Sequence, residues 1–166
     1  DRGGRRDHGP RPQQPARAMR RHFLIIEAPY YADITAELVR GAAAELERRG
    51  ATYETISVPG VLEIPAALSM VLKAEEHAKR FDGYVLLGCV IRGETSHYDI
   101  VAGESARALM ELAVDEALAV GNGILTVEND EQAWRRARVD DLDKGGGAAN
   151  AALAMIALRE RLGLGQ

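Results

Sequence analysis

The stretch Gly83–Ile91, GYVLLGCVI, is almost continuously apolar. A strand with one face in water alternates apolar and polar residues. A run without that alternation reads as a strand covered on both faces, as in a parallel sheet between helices. The rest of the chain supplies the partners. Arg21–Ala28 is a second compact apolar run, and Thr52–Val58 alternates as a strand. Between them, Asp33–Arg49 carries Ile34, Leu38, Val39, Ala42 and Leu46 on one helical face, with Gly50 at the C-cap position. Pro65–Arg80 starts with a proline suited to a first helical turn. A long helix is predicted from about Tyr98 to Ala119, and a fourth strand over Gly123–Glu128. Asn129 and Gln132 form a capping box for a short helix through Arg136. Gly145–Gly147 are read as a break before a last helix, Ala148–Leu162. The order βαβαβαβαα implies an α/β fold with a parallel sheet. Ligands of such sheets bind beyond the carboxyl ends of the strands, near a switch in strand order.

The chain has 166 residues, 46% hydrophobic and 28% charged, which fits one globular domain. Its formal charge of -4 argues against a general nucleic-acid surface. A single cysteine, Cys89, excludes an intramolecular disulfide and makes the cytoplasm the default compartment. No apolar stretch reaches the roughly 20 residues that span a bilayer. Residues 1–20 are read as a flexible extension without a signal peptide's apolar core, with Met19 a natural start, and residues 21–166 as the domain. His8, His22, His77 and His97 are scattered, with no metal-ligand spacing.

The junction RGETSH, Arg92–His97, joins the third strand to the third helix. Gly88 and Gly93 with Thr95 come close to a P-loop, but Glu94 stands where that loop needs Lys. A nucleotide's phosphates are therefore disfavoured. Backbone amides before a helix still suit a smaller anion. The same residues also suit a plain strand-to-helix turn with Thr95 or Ser96 as N-cap. His97 can exchange protons near neutral pH, or simply cap the helix. Tyr30 and Tyr31 follow the first strand and can stack on a flat ring. Glu63 in PGVLEIP can accept from hydroxyls or favour its helix N-terminus. Arg135, Arg136, Arg138 and Lys144 can bind phosphate or form a solvated face.

Taken together, VPGVLEIP, GCVIRGETSHYD, TVENDEQAWRRA and DKGGGAA, in this order and spacing, resemble the lumazine synthase family of riboflavin biosynthesis from about Arg21 to Leu162. The resemblance implies a three-layer α/β/α sandwich, flavodoxin-like, around a four-stranded parallel sheet. It implies a cofactor-free transferase that condenses 5-amino-6-(D-ribitylamino)uracil with L-3,4-dihydroxy-2-butanone 4-phosphate. The products are 6,7-dimethyl-8-ribityllumazine, phosphate and water. By position, Tyr30 matches the aromatic that stacks on the uracil. Val61, Leu62 and Glu63 match the segment that binds ribitylaminouracil, and Cys89, Val90 and Ile91 the strand end beside the pyrimidine. Glu94 and Thr95 match the phosphate loop, His97 the proton-transfer residue, and Arg136 a phosphate-binding Arg reaching across a subunit boundary, with Lys144 in support. Asn122 stands where many members place a pocket-lining Phe. Pro29 and the linker RVDDLDKGG also depart from common forms. Members assemble as pentamers, decamers or sixty-subunit shells. The altered linker and Pro-rich N-terminus favour a homopentamer here. There are two rivals: an archaeal-type riboflavin synthase, which shares the fold, and, from another class, a flavin- or lumazine-binding shell protein without turnover.

Overall fold

The computed structural model describes residues 20–74, 76 and 80–164. The expected extension, apart from Arg20, lies outside the described residues, as do residues 75 and 77–79 of the second predicted helix.

Four strands, β1 (His22–Glu27), β2 (Thr52–Ser57), β3 (Gly83–Ile91) and β4 (Val120–Val127), form one sheet in the order β2-β1-β3-β4. All its pairings are parallel, with Phe23 opposite both Tyr53 and Gly83, and Tyr84 opposite Val120. The helices are α1 (Ala32–Arg48), α2 (Ile64–Lys73), α3 (His97–Asp115), α4 (Asp130–Ala137) and α5 (Lys144–Arg161). A single 3₁₀ turn, Val61–Glu63, leads into α2.

Side chains alternate across the strands, so each face of the sheet has its own core. Phe23, Ile25, Val85, Leu87 and Leu125 face α1, α4 and α5. Leu24, Ile26, Leu86 and Val90 face α2 and α3, meeting Ile64, Leu68, Val101 and Leu109. Burial of β3 on both faces accounts for its lack of polar alternation. Burial along its first eight residues is complete, and only Ile91 is partly open.

The N-cap of α4 forms as predicted: Asn129 Oδ1 accepts from the Gln132 N–H at 2.9 Å. The Gln132 Oε1 in turn accepts from the Glu128 N–H at 2.8 Å. Three boundaries differ from expectation. Helix α2 stops at Lys73, because Ala74 turns to extended backbone. Helix α3 ends at Asp115, where Ala117 adopts φ 49° and the Leu118 N–H bonds the Ala113 carbonyl at 2.9 Å. Strand β4 therefore begins at Val120, and Asn122 lies within it.

A fourth difference has a cause in packing. Gly145–Gly147 do not break the chain but form the first turn of α5, N-capped by Asp143, whose carboxylate accepts from the Gly146 N–H at 3.1 Å. A Cβ on Gly145 would overlap the Leu38 carbonyl of α1, and one on Gly121 would overlap the Ala148 carbonyl of α5. These glycines are sites of close backbone approach that let α5 settle between α1 and β4. Around the Cβ position of Gly147, by contrast, nothing lies within 4 Å. Gly145→Ala should therefore overpack the α1–α5 contact, costing about 1–3 kcal/mol and lowering the thermal midpoint by several degrees. Gly147→Ala should leave the midpoint unchanged or raise it, through the roughly 1 kcal/mol advantage of Ala over Gly in a helix. Thermal unfolding of both variants checks the pair, and equal midpoints would contradict the packing account.

Candidate active site

Where the order of a parallel sheet reverses, two successive strand ends diverge and leave a crevice. Here the reversal falls between β1 and β3. A cavity of about 550 Å³ opens there, at the carboxyl ends of the strands.

Three loops reach its rim. After β1, the Ala28 N–H bonds the Leu87 carbonyl at 2.9 Å, and the buried Thr35 hydroxyl donates to the Ala28 carbonyl at 3.2 Å. That tether leaves Tyr30 73% exposed, its ring edge-on to Tyr31 at 5.0 Å. After β2, the 3₁₀ turn places Val61, Leu62 and Glu63 on the wall. Val61 is buried against β3, and a Cβ on Gly88 would meet its Cγ2 at 2.9 Å, so that glycine makes room for it. After β3, the loop contributes Gly93 and Thr95, and His97 opens α3. The exposed His97 donates its backbone N–H to Thr95 Oγ1 at 3.3 Å. Ser96 occupies the N-cap position without a side-chain cap bond.

Cys89, Val90 and Ile91 form the floor where β3 ends. Burial pushes the Cys89 thiol up to about 12, with the Asp130 charge adding to it. Such a group stays a thiol at neutral pH and is no nucleophile. Burial also raises the Tyr31 hydroxyl, and neighbouring Tyr30 acts in the same direction. Of the residues predicted for this side, Tyr30, Val61, Leu62, Glu63, Cys89, Val90, Ile91, Thr95 and His97 all line the one cavity. The exposed Glu94 is not on its wall.

The remaining predicted residues gather elsewhere. Asn122, Arg136 and Lys144 line a second cavity of about 410 Å³ beside the edge strand β4. Asn122 turns its side-chain oxygen to the Ile124 N–H at 2.9 Å. The half-buried Arg136 donates to the Gln132 carbonyl at 3.1 Å, and Lys144 is exposed at the start of α5. Arg135 and Arg138 are not on that wall, and Arg138 stacks over Trp134 at 5.8 Å. One chain thus holds an apolar, aromatic crevice and, apart from it, a basic one.

Sequence reasoning passed over Pro59, Gly60, Tyr98 and Val101 in the first cavity and Thr126 in the second. Tyr98 and Val101 had a usable signal, since they lie one and four residues beyond His97 on α3. Thr126 had another: it shares the open face of β4 with Asn122 and Ile124 at period two. Among the described residues, no group of three His, Cys, Asp or Glu side chains could hold a metal ion. No described helix is long and apolar enough to cross a membrane.

A profile of the 6,7-dimethyl-8-ribityllumazine synthase family matches residues 20–160. The chain is 62% identical over 143 residues to the 6,7-dimethyl-8-ribityllumazine synthase 1 of Rhizobium meliloti, covering 86% of this chain and 94% of that protein. It is 60% identical over 143 residues to the enzyme so named in Agrobacterium fabrum, covering 86% and 97%. It is 58% identical over 142 residues to that of Bartonella tribocorum, covering 86% and 92%. A match of this extent embraces both cavities and every strand of the sheet, and the chain belongs to the 6,7-dimethyl-8-ribityllumazine synthase family.

Proposed function

We propose that this protein condenses 5-amino-6-(D-ribitylamino)uracil with L-3,4-dihydroxy-2-butanone 4-phosphate, releasing phosphate and water to give 6,7-dimethyl-8-ribityllumazine. The observation that carries the reading is the meeting of Tyr30, Glu63, Thr95 and His97 on one crevice at the switch point of the sheet. Each has a task in that chemistry. Tyr30 offers an exposed ring for the pyrimidine, with Cys89, Val90 and Ile91 as an apolar floor. The carboxylate of Glu63 accepts from ribityl hydroxyls beside Val61 and Leu62. Backbone amides of Glu94 and Thr95 orient the phosphate.

The amine of the uracil attacks the ketone, and loss of water gives an imine. A proton leaves the adjacent carbon, phosphate departs, and the second nitrogen closes the ring with loss of another water. His97, at the mouth of the crevice, takes and returns protons in these steps. Holding two substrates in register supplies the rest of the acceleration.

A phosphate excluded from water needs a full counter-charge, which backbone amides do not provide. Arg136 and Lys144 carry that charge but line a different cavity of the same chain. The reading therefore places the working site between two copies, with Arg136, Lys144 and Asn122 of one chain facing the crevice of its neighbour. Exposed apolar side chains support such an assembly: Met70 on α2 and Met110 and Val114 on α3 are each more than 60% exposed. Covering them by a neighbouring chain would remove that apolar surface from water. A homopentamer in the cytoplasm is the form this reading favours.

Lumazine fluorescence on mixing the two substrates tests the activity. Lumazine supplied alone should yield no riboflavin, and riboflavin formation would favour the riboflavin synthase alternative instead. Within that assay, His97→Ala should lower kcat about tenfold or more while preserving fold and assembly. An unchanged kcat at saturating substrates removes His97 from the mechanism. Arg136→Ala should raise KM for the butanone phosphate roughly ten- to a hundredfold and leave that for ribitylaminouracil nearly unchanged. Arg135→Ala and Arg138→Ala should do neither. A phosphate-selective defect in Arg138→Ala would instead show that the phosphate site is misassigned.

A further inference from the structure

We infer that Arg92 is a positioning residue: its side chain clamps the Gly93–His97 loop between the first turn of α3 and the entrance to α4. Its backbone N–H extends the β3–β4 pairing to the Val127 carbonyl at 2.9 Å. Its guanidinium donates through Nε to Glu128 Oε2 at 2.9 Å and through Nη1 to Asp99 Oδ1 at 3.4 Å. The same group lies over the Tyr98 ring, 4.2 Å from its centre.

These three partners come from two places in the fold. Asp99 is in the first turn of α3, two residues from His97. Tyr98 is on the wall of the first cavity. Glu128 closes β4, and its N–H is held by Gln132 in the helix that carries Arg136. One planar fork thus fixes both ends of a five-residue loop that holds no side-chain hydrogen bond of its own beyond Thr95 to His97 among those described. A lysine, with a compact charge and no plane, cannot satisfy both carboxylates and stack on the ring at once.

Magnitudes separate positioning from stability. Arg92, Asp99 and Glu128 are 39%, 63% and 56% exposed, and ion pairs at such sites contribute little to folding. Displacing a loop that orients substrate costs far more, since a small misplacement of reacting groups can reduce rate by up to about a hundredfold.

The kinetic consequence rests on the proposed function, and the structural one does not. In Arg92→Ala, amide hydrogen exchange should speed up at Asp99 and Ile100, whose N–H groups bond the Ser96 carbonyl at the end of the loop, and stay as in wild type in the sheet. The thermal midpoint should remain within roughly 4 °C. With both substrates, kcat/KM for the butanone phosphate should fall roughly ten- to a hundredfold. KM for ribitylaminouracil should change little, because Tyr30 and Val61–Glu63 stand on loops that Arg92 does not touch. Arg92→Lys should recover less than half of the loss. Wild-type exchange at Asp99 and Ile100 in Arg92→Ala overturns the clamp. Faster exchange with unchanged kinetics overturns its role in the reaction, and full rescue by Lys overturns the fork geometry. If the wild-type protein forms no lumazine, the functional reading fails, and the exchange rates alone decide whether Arg92 holds the loop.

Discussion

Strand β3 is hydrogen-bonded to a parallel neighbour along each edge and packed against helices on each face. That double burial fixes it in three dimensions, and the place where it ends is the place where chemistry can begin. Cys89, Val90 and Ile91 form a floor that cannot shift without disturbing both cores. The next residues, Arg92 to His97, must leave the sheet and start α3 within six positions. Their backbone consequently meets the crevice opened between β1 and β3. The geometry of the crevice is a by-product of how a nearly all-apolar strand has to terminate.

The division of labour between the two cavities has an electrostatic logic. On the proposed reading, a flat heterocycle is served by exposed tyrosine, aliphatic floor and one carboxylate, with little charge to desolvate. The same reading gives the phosphate to Arg136 and Lys144, which would be costly to bury in that apolar crevice without their anion. Keeping the two apart in the free chain avoids that cost, and association would bring them together. On this reading the exposed apolar side chains of α2 and α3 and the open face of β4 belong to one design: surfaces left unfinished by the fold because another copy finishes them.

Much of this was legible in the sequence because patterning carries burial. The alternation in Thr52–Val58 and the lack of it in Gly83–Ile91 locate one strand each, and the Asn129–Gln132 cap marks the start of α4. The residues of RGETSH and PGVLEI likewise converge because both follow strands of one parallel sheet. What misled was glycine. Gly121 hid the first three residues of β4, Val120–Asn122, and Gly145–Gly147 looked like a break. At Gly121, Gly123 and Gly145 the missing Cβ makes room for another segment, a long-range fact that no local pattern contains. The separation of Arg136 from His97 was likewise invisible to spacing, since it depends on which side of the edge strand each one occupies. Arg92 escaped notice for a related reason: its three partners lie at Tyr98, Asp99 and Glu128, and only the fold brings the last of these to it.

The central claim is that one working site needs His97 from one chain and Arg136 from another. Mixing tests it directly. His97→Ala and Arg136→Ala chains, each assembled alone, carry a defect in every site. Unfolded and refolded together, they form some boundaries where the intact His97 of one meets the intact Arg136 of the other. By random assortment that is about a quarter of all boundaries. At low butanone phosphate, the mixture should then exceed the mean activity of its two parents, rising toward that fraction of wild type. A mixture no more active than the mean of the parents, with mixed assemblies verified by mass, would contradict the shared site.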